Sequence, residues 1–221
     1  VTVPPQTEID NHDIWEFMNF LLFELRNPLT SVVAYSSLPP DLFDIRFLQT
    51  LSKKARDCSR IQESLRTATW LGSGKFRLFS LKDFNPNTFL QSLVKQLQSE
   101  HPNPSVSYQV TVASDVPQTV FGSDEQIKYM MMDLITEVIE KMGQATFVID
   151  CGRVDDEMWY IRITDTLQNI SHPFSYSQQL FVFKKIINIM GGSITTYVIP
   201  NEAIQLTMTF PVRYIVPEQA P

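Results

Sequence analysis

Glycine is scarce in this chain, with 7 residues in 221, at Gly72, Gly74, Gly122, Gly143, Gly152, Gly191 and Gly192. Globular proteins carry about 7%. Neither a G-x-G-x-x-G nor a G-x-x-x-x-G-K-[ST] loop can be written from these positions, which excludes a glycine-built phosphate cradle. Cysteine is nearly absent. Cys58 and Cys151 are far apart and lack metal spacing, so they read as buried thiols of a cytoplasmic protein. His12, His101 and His172 form no H-x-x-x-H or H-E-x-x-H pattern, and no metal is expected. No apolar run approaches the ~18–20 residues of a membrane span, and the N-terminus is not a signal peptide. The chain does not begin with Met, which suits a cytoplasmic piece of a longer, membrane-anchored protein. Positive charge is also short, with 18 bases against 24 acids and a net charge of −6. That argues against nucleic acid as a partner and against membrane contact by this segment.

What is present is apolar: 43% of the residues are hydrophobic, enough for one large or two small cores. Residues 1–11 read as a flexible lead. Ile14, Met18, Leu21, Leu25 and Val32 then recur at helical spacing, with Pro28 in one seam position. Pro39-Pro40 ends that helix, and Asp41 can cap the next. The second helix carries Leu48, Leu51, Ala55, Cys58, Ile61 or Gln62, Leu65 and Ala68 on one face. Lys53, Lys54, Arg56, Arg60 and Arg66 stand on the other. Two such helices predict an antiparallel hairpin over residues 12–73. A lone hairpin cannot bury both seams, so a homodimeric four-helix bundle is expected. After Gly72-Ser73-Gly74, residues 74–213 alternate helical and strand patterns. Helices are predicted at Phe89–Leu97, Ser123–Met142 and Gln178–Met190, the last closed by Gly191. Strands are predicted around Val106–Val112, Phe147–Cys151 and Trp159–Ile163, with a final hairpin from Ile194–Val198 and Ala203–Phe210. Residues 214–221 form a tail. The expected class is α+β: a long helical hairpin followed by an α/β sandwich.

Phe23-Glu24-Leu25-Arg26-Asn27-Pro28-Leu29 resembles the H-E-L-R-[TN]-P-L motif of sensor histidine kinases, agreeing at six of seven positions. The rest of the chain follows that family's order. Gly122–Met142 resembles its G-D-x-x-R-L-x-Q-V-L-x-N-L-L-x-N segment. Thr164–Ile170 resembles its D-x-G-x-G box, and Ser177–Leu180 stands at its G-L-G-L box. The resemblance implies a phosphotransfer hairpin plus an ATPase-like domain of the GHKL (Bergerat) type. The departures are specific. Phe23 replaces the phosphoacceptor histidine, and a phenyl ring has no nucleophilic nitrogen. Asp133 and Glu137 occupy the two Asn positions. Asp165 survives, but Leu167 and Asn169 replace glycines, and only residues 171–176 separate boxes that a long lid should join.

These losses imply a pseudokinase module with a vestigial nucleotide site at Asp133, Glu137 and Asp165. No cofactor and no autokinase activity are expected, and the chain is read as a non-enzyme. The expected role is docking and dimerisation in a two-component phosphorelay, with a response-regulator receiver domain or a true histidine kinase as partner. On a helical wheel Phe23 falls about 180° from the first seam, with Asn19, Asn27 and Thr30 beside it and Phe20 about 60° away. Phe20, Phe23, Asn27, Thr30, Lys53 and Arg56 are therefore the expected partner-binding residues. Two alternatives remain. Glu24 and Asn27 match the pair with which the family dephosphorylates a receiver's aspartyl phosphate. The chain could also serve phosphotransfer through a histidine in another domain.

Overall fold

The computed structural model describes residues 11–39, 44–73, 76–166, 178–199 and 203–214. Helix α1 spans Asn11–Ser36 and α2 spans Ile45–Gly72. They pack on one another along their length. The Tyr35 ring meets Phe47 at 5.3 Å at one end. At the other, Gly72 faces Ile14, whose Cγ2 would lie 3.2 Å from a Cβ at that position. The two contacts fix an antiparallel register in which residue numbers on facing turns sum to about 84. The buried seam of α1 is Ile14, Phe17, Leu21 and Pro28, whereas Met18, Leu25 and Val32 are only half-buried. The expected seam is corrected by roughly 40° around the helix, about a tenth of a turn. Pro28 points inward and does not end the helix, because its missing N–H is lost from a helix already held by packing.

Helix α2 starts one turn later than Asp41 predicts, and residue 41 lies outside the described residues. The cap is Asp44, whose carboxylate accepts the Phe47 N–H at 2.7 Å. Gly72 is the last helical residue, and Ser73 N–H returns to the Thr69 carbonyl at 3.0 Å.

The chain divides into two compact units between Arg77 and Leu78. The second unit holds β1 (Lys82–Phe84), α3 (Pro86–Glu100), β2 (Val106–Val112), β3 (Val120–Gly122), α4 (Asp124–Met142), β4 (Ala145–Arg153), β5 (Met158–Asp165), α5 (Gln178–Ile189), β6 (Ser193–Ile199) and β7 (Ala203–Pro211). Five strands form one sheet in the order β2-β4-β5-β7-β6. The β2–β4 pair is parallel and the others are antiparallel. A parallel pair needs a crossover, and α4 supplies it. Helices α3, α4 and α5 pack on the inner face. Phe147, Ile149, Trp159, Ile161, Leu206 and Phe210 meet Leu93, Met130, Leu134 and Phe183 there, all at most 2% exposed. Strand β5 alternates strictly, buried inward and half-exposed outward, and β4 and β7 do so along most of their length.

Caps were legible. Asn85 accepts from Thr88 N–H at 3.0 Å with Pro86 at the first turn. Ser123 accepts from Gln126 N–H at 3.3 Å. Gly143 and Gly191 close α4 and α5 with φ of 70° and 76°. At Gly192 a side chain would overlap the Thr209 carbonyl oxygen. The two-stranded β1–β3 sheet was not anticipated. Its strands are three residues each, too short to show a period. Phe84 anchors it against Phe89 and Trp159 at 5.6 and 6.1 Å.

Candidate functional site

The hairpin has two unlike sides. With the buried seam as reference, Trp15, Leu22 and Leu29 recur every seven residues along one flank of α1, and all three are at least half exposed. Met18, Leu25 and Val32 adjoin them. In an antiparallel pair, like positions of the two helices lie on the same side. On α2 that side carries Leu48, Leu51, Ala55, Cys58, Gln62 and Leu65. The result is a second apolar stripe crossing both helices, interrupted near its middle by Gln62. The signal for it, a strict seven-residue repeat of Trp15, Leu22 and Leu29, is present in the sequence but was not read there, and its neighbours Met18, Leu25 and Val32 were assigned to the first seam.

The other side carries the predicted partner residues. Phe23 is 63% exposed and Phe20 46%. Asn27 and Thr30 are exposed and Glu24 is half-buried at the edge of the seam. The Asn27 carbonyl accepts the Ser31 hydroxyl at 3.0 Å. The facing flank of α2 carries Arg46, Lys53 and Arg60, again seven residues apart, with Arg56 one step further out. In the hairpin register Arg60 stands level with Phe23, Arg56 with Asn27, and Lys53 with Thr30. The Arg56 guanidinium donates to Ser52 Oγ at 3.1 Å and borders an open groove of about 290 Å³ with Ile45, Leu48 and Gln49. Two other bases of α2 are engaged locally. Lys54 pairs with Asp57 at 3.9 Å, and Arg66 pairs with Glu63 and covers the Trp70 ring.

In the second unit, Asp165 ends β5 fully buried. Asp133 and Glu137 lie one turn apart on α4, half-buried and 7% exposed respectively. No group of three His, Cys, Asp or Glu side chains among the described residues is placed to hold a metal ion. Leu167, Asn169, residues 171–176 and Ser177 lie outside the described residues. Cys151, 1% exposed, is held as a neutral thiol: burial first, then the Asp150 charge, push it up to about 11. It is a core residue. His101 Nε2 meets Thr136 Oγ1 at 2.9 Å, a structural contact. No described helix is long and apolar enough to cross a membrane.

No family model and no curated protein matches the sequence. Solved structures do resemble the fold. The Acinetobacter baumannii histidine kinase AdeS is 17% identical, with 87% of this chain and 95% of that chain covered and a TM-score of 0.64. Histidine kinase ThkA, solved in complex with the response regulator protein TrrA, is 18% identical over 99% of this chain and 70% of that one, with a TM-score of 0.71. A histidine kinase from Burkholderia phymatum STM815 is 11% identical, covering 96% of this chain and 100% of that one, with a TM-score of 0.51. The fold is therefore that of a histidine kinase hairpin followed by its ATPase-like domain. These neighbours also overturn one expectation. They are enzymes, and no structural finding marks this chain as inactive, so the reading of a non-enzyme, drawn from motif losses alone, is withdrawn.

Proposed function

We propose that this chain is a kinase-like signalling module of the cytoplasm, dimerising through its second apolar stripe and docking a response-regulator receiver domain on the opposite side. The observation that carries the reading is the exposed aromatic pair Phe20 and Phe23, with Asn27 and Thr30 beside it, on the side of the hairpin away from the apolar stripe. Large exposed aromatics on a polar face act as interface anchors. That ThkA was solved with a response regulator supports the kind of partner. The stripe supports a second copy as the dimer partner. From Trp15 to Val32 it runs about 26 Å and is two helices wide. That is the scale of the ~800 Å² each partner gives to a stable interface. Lys53 and Arg56 are assigned to the docking face with the aromatics.

The test is a binding screen of the purified chain against a panel of purified receiver domains, run beside its mass in solution. A dimer that binds a receiver and loses it on Phe23→Ala supports the reading. A monomer, or binding indifferent to Phe23, refutes it.

A second reading concerns chemistry. Phe23 offers no nitrogen to a phosphoryl group, but hydrolysis of a receiver's aspartyl phosphate needs none. The exposed Asn27 amide could orient the attacking water while the receiver supplies its own Mg²⁺, with Glu24 one turn earlier as the polar companion. In this reading Asp133, Glu137 and Asp165 take no part. Calorimetric titration with Mg-ATP checks that separately: heat of binding would reopen a nucleotide role for the second unit.

A further inference from the structure

The five-stranded sheet carries its charges on interior strands. Asp150 and Arg153 stand on β4 and Arg162 and Asp165 on β5, whereas the edge strands β2 and β6 have none. Proteins ordinarily guard an open edge with charge, proline or a bulge. Strand β6 has neither charge nor proline. It pairs one to one with β7, from Ser193 opposite Thr209 to Ile199 opposite Ala203, without a bulge. Among the described residues no strand pairs with its other side. The two edges differ in access. On β2 every second residue from Val106 to Val112 is half-buried, on a strand against which α3 packs. On β6, Thr196 lies opposite the buried Leu206 on the inner face and is nevertheless exposed. Thr195 and Tyr197 on the outer face are exposed too, Tyr197 at 64%. The middle of β6 is thus open on both faces.

We infer that β6 pairs antiparallel with β6 of a second copy, joining the two sheets edge to edge about a two-fold axis at Thr196. The register is self-complementary. Thr196 meets its own counterpart on the axis, and Thr195 meets Tyr197 on the outer face. Thr–Thr and aromatic–β-branched neighbours are favourable cross-strand pairs. Odd-numbered positions oppose odd-numbered ones, so the inner faces of both copies lie on the same side of the joined sheet. No like charges oppose one another across the edge. A strand about 23 Å long in a layer about 10 Å deep offers about 230 Å² per copy, well below the ~800 Å² of a stable interface. The contact is therefore weak and reversible, and it acts between copies brought together elsewhere. Combined with dimerisation through the hairpin stripe it builds assemblies larger than a dimer; only this last step rests on the hairpin reading.

The experiment is sedimentation velocity of the full chain over a wide concentration range, at salt from about 0.05 to 0.5 M, beside hydrogen exchange of the β6 amides. Thr195→Lys/Tyr197→Lys sets like charges opposite one another across the axis. Gln109→Lys/Thr111→Lys makes the same charge change at exposed positions of β2. The expected mass rises reversibly with concentration beyond that of a dimer. Growth is stronger at high salt, because copies of net charge −6 repel one another until screened. In the concentrated wild-type sample the β6 amides exchange severalfold more slowly, a readout that needs no variant. The β6 variant loses growth and protection with an unchanged thermal midpoint, and the β2 variant keeps both. If the β6 variant instead splits a wild-type dimer into monomers, the inference holds and the hairpin dimer falls. If wild type and β6 variant are the same dimer at every concentration, the inference falls and the hairpin dimer stands. Protection of β6 that does not depend on concentration means that another segment of the chain covers the edge, and overturns the inference. Growth that both variants abolish means that β2 pairs with β6, and overturns it too.

Discussion

Leu21 and Phe23 are two positions apart on α1, and truncating them should have opposite consequences. Leu21 is fully buried and Phe23 is 63% exposed. A Phe side chain presents about 200 Å², so about 125 Å² of Phe23 is available to a partner. At about 25 cal/mol per Å², burying it contributes about 3 kcal/mol, or roughly a hundredfold in affinity. That is an upper figure, since the partner need not cover the whole ring. Removing the ring from the free chain costs almost nothing, because it gives up little packing. Phe23→Ala should therefore shift the unfolding free energy by less than about 0.5 kcal/mol while weakening receiver binding by tens-fold to a hundredfold. Leu21→Ala should cost about 2–5 kcal/mol of stability through the cavity it leaves. Urea unfolding followed by circular dichroism gives the first quantity and surface-immobilised kinetics the second. A loss of stability for Phe23→Ala comparable to that of Leu21→Ala would refute the reasoning, because the ring would then be covered within the molecule.

Gln62 interrupts the apolar stripe, and a polar group in such a seam costs stability in exchange for register. Gln62→Leu should tighten self-association severalfold, seen by analytical ultracentrifugation; an unchanged dissociation constant would place the dimer contact elsewhere. Gly192→Ala drives a methyl into the Thr209 carbonyl, so the thermal midpoint should fall by several degrees, whereas an unchanged midpoint would show that the α5–β6 corner relaxes. Cys151 is raised to about 11 from 9.0. A raised folded value means its contribution is whole below pH 9 and is lost as pH climbs towards 11, at about 1.4 kcal/mol per pH unit. Cys151→Ala should flatten that part of the stability profile, and a profile identical to wild type would exclude the thiol as its source. Asn27→Ala should abolish accelerated decay of a phosphorylated receiver, and undiminished decay would end the phosphatase reading.

Most of the second unit was legible because its signals are local. Alternation in Phe147–Cys151 and Trp159–Ile163 and the Gly191 stop each report on a few neighbouring residues. The hairpin was legible as two helices but not as a face assignment. Met18 and Leu25 sit between two apolar stripes, and a periodicity count credits them to whichever seam is drawn first. Only tertiary packing shows that Phe17 goes inward. Asp41 and Asp44 are equally good caps by type, and packing at Phe47 decides between them. The exposure of Phe23 followed from helical phase alone. The burial of Asp165 and Glu137 did not, because carboxylates at a strand end and on a helix are ordinarily solvated.

The separation of the two sides of the hairpin bears on valency. A dimer closed through the apolar stripe would turn its two aromatic-basic faces outward, back to back across the bundle. Each dimer could then hold two receivers that never touch. A response regulator that is itself a dimer would gain avidity only if its linkers reach around the bundle. If they do, the second attachment becomes intramolecular, at an effective concentration in the millimolar range for a short flexible linker. If they do not, it contributes nothing. Linker length in the partner, rather than any residue of this chain, would then decide whether a weak single contact becomes a lasting complex.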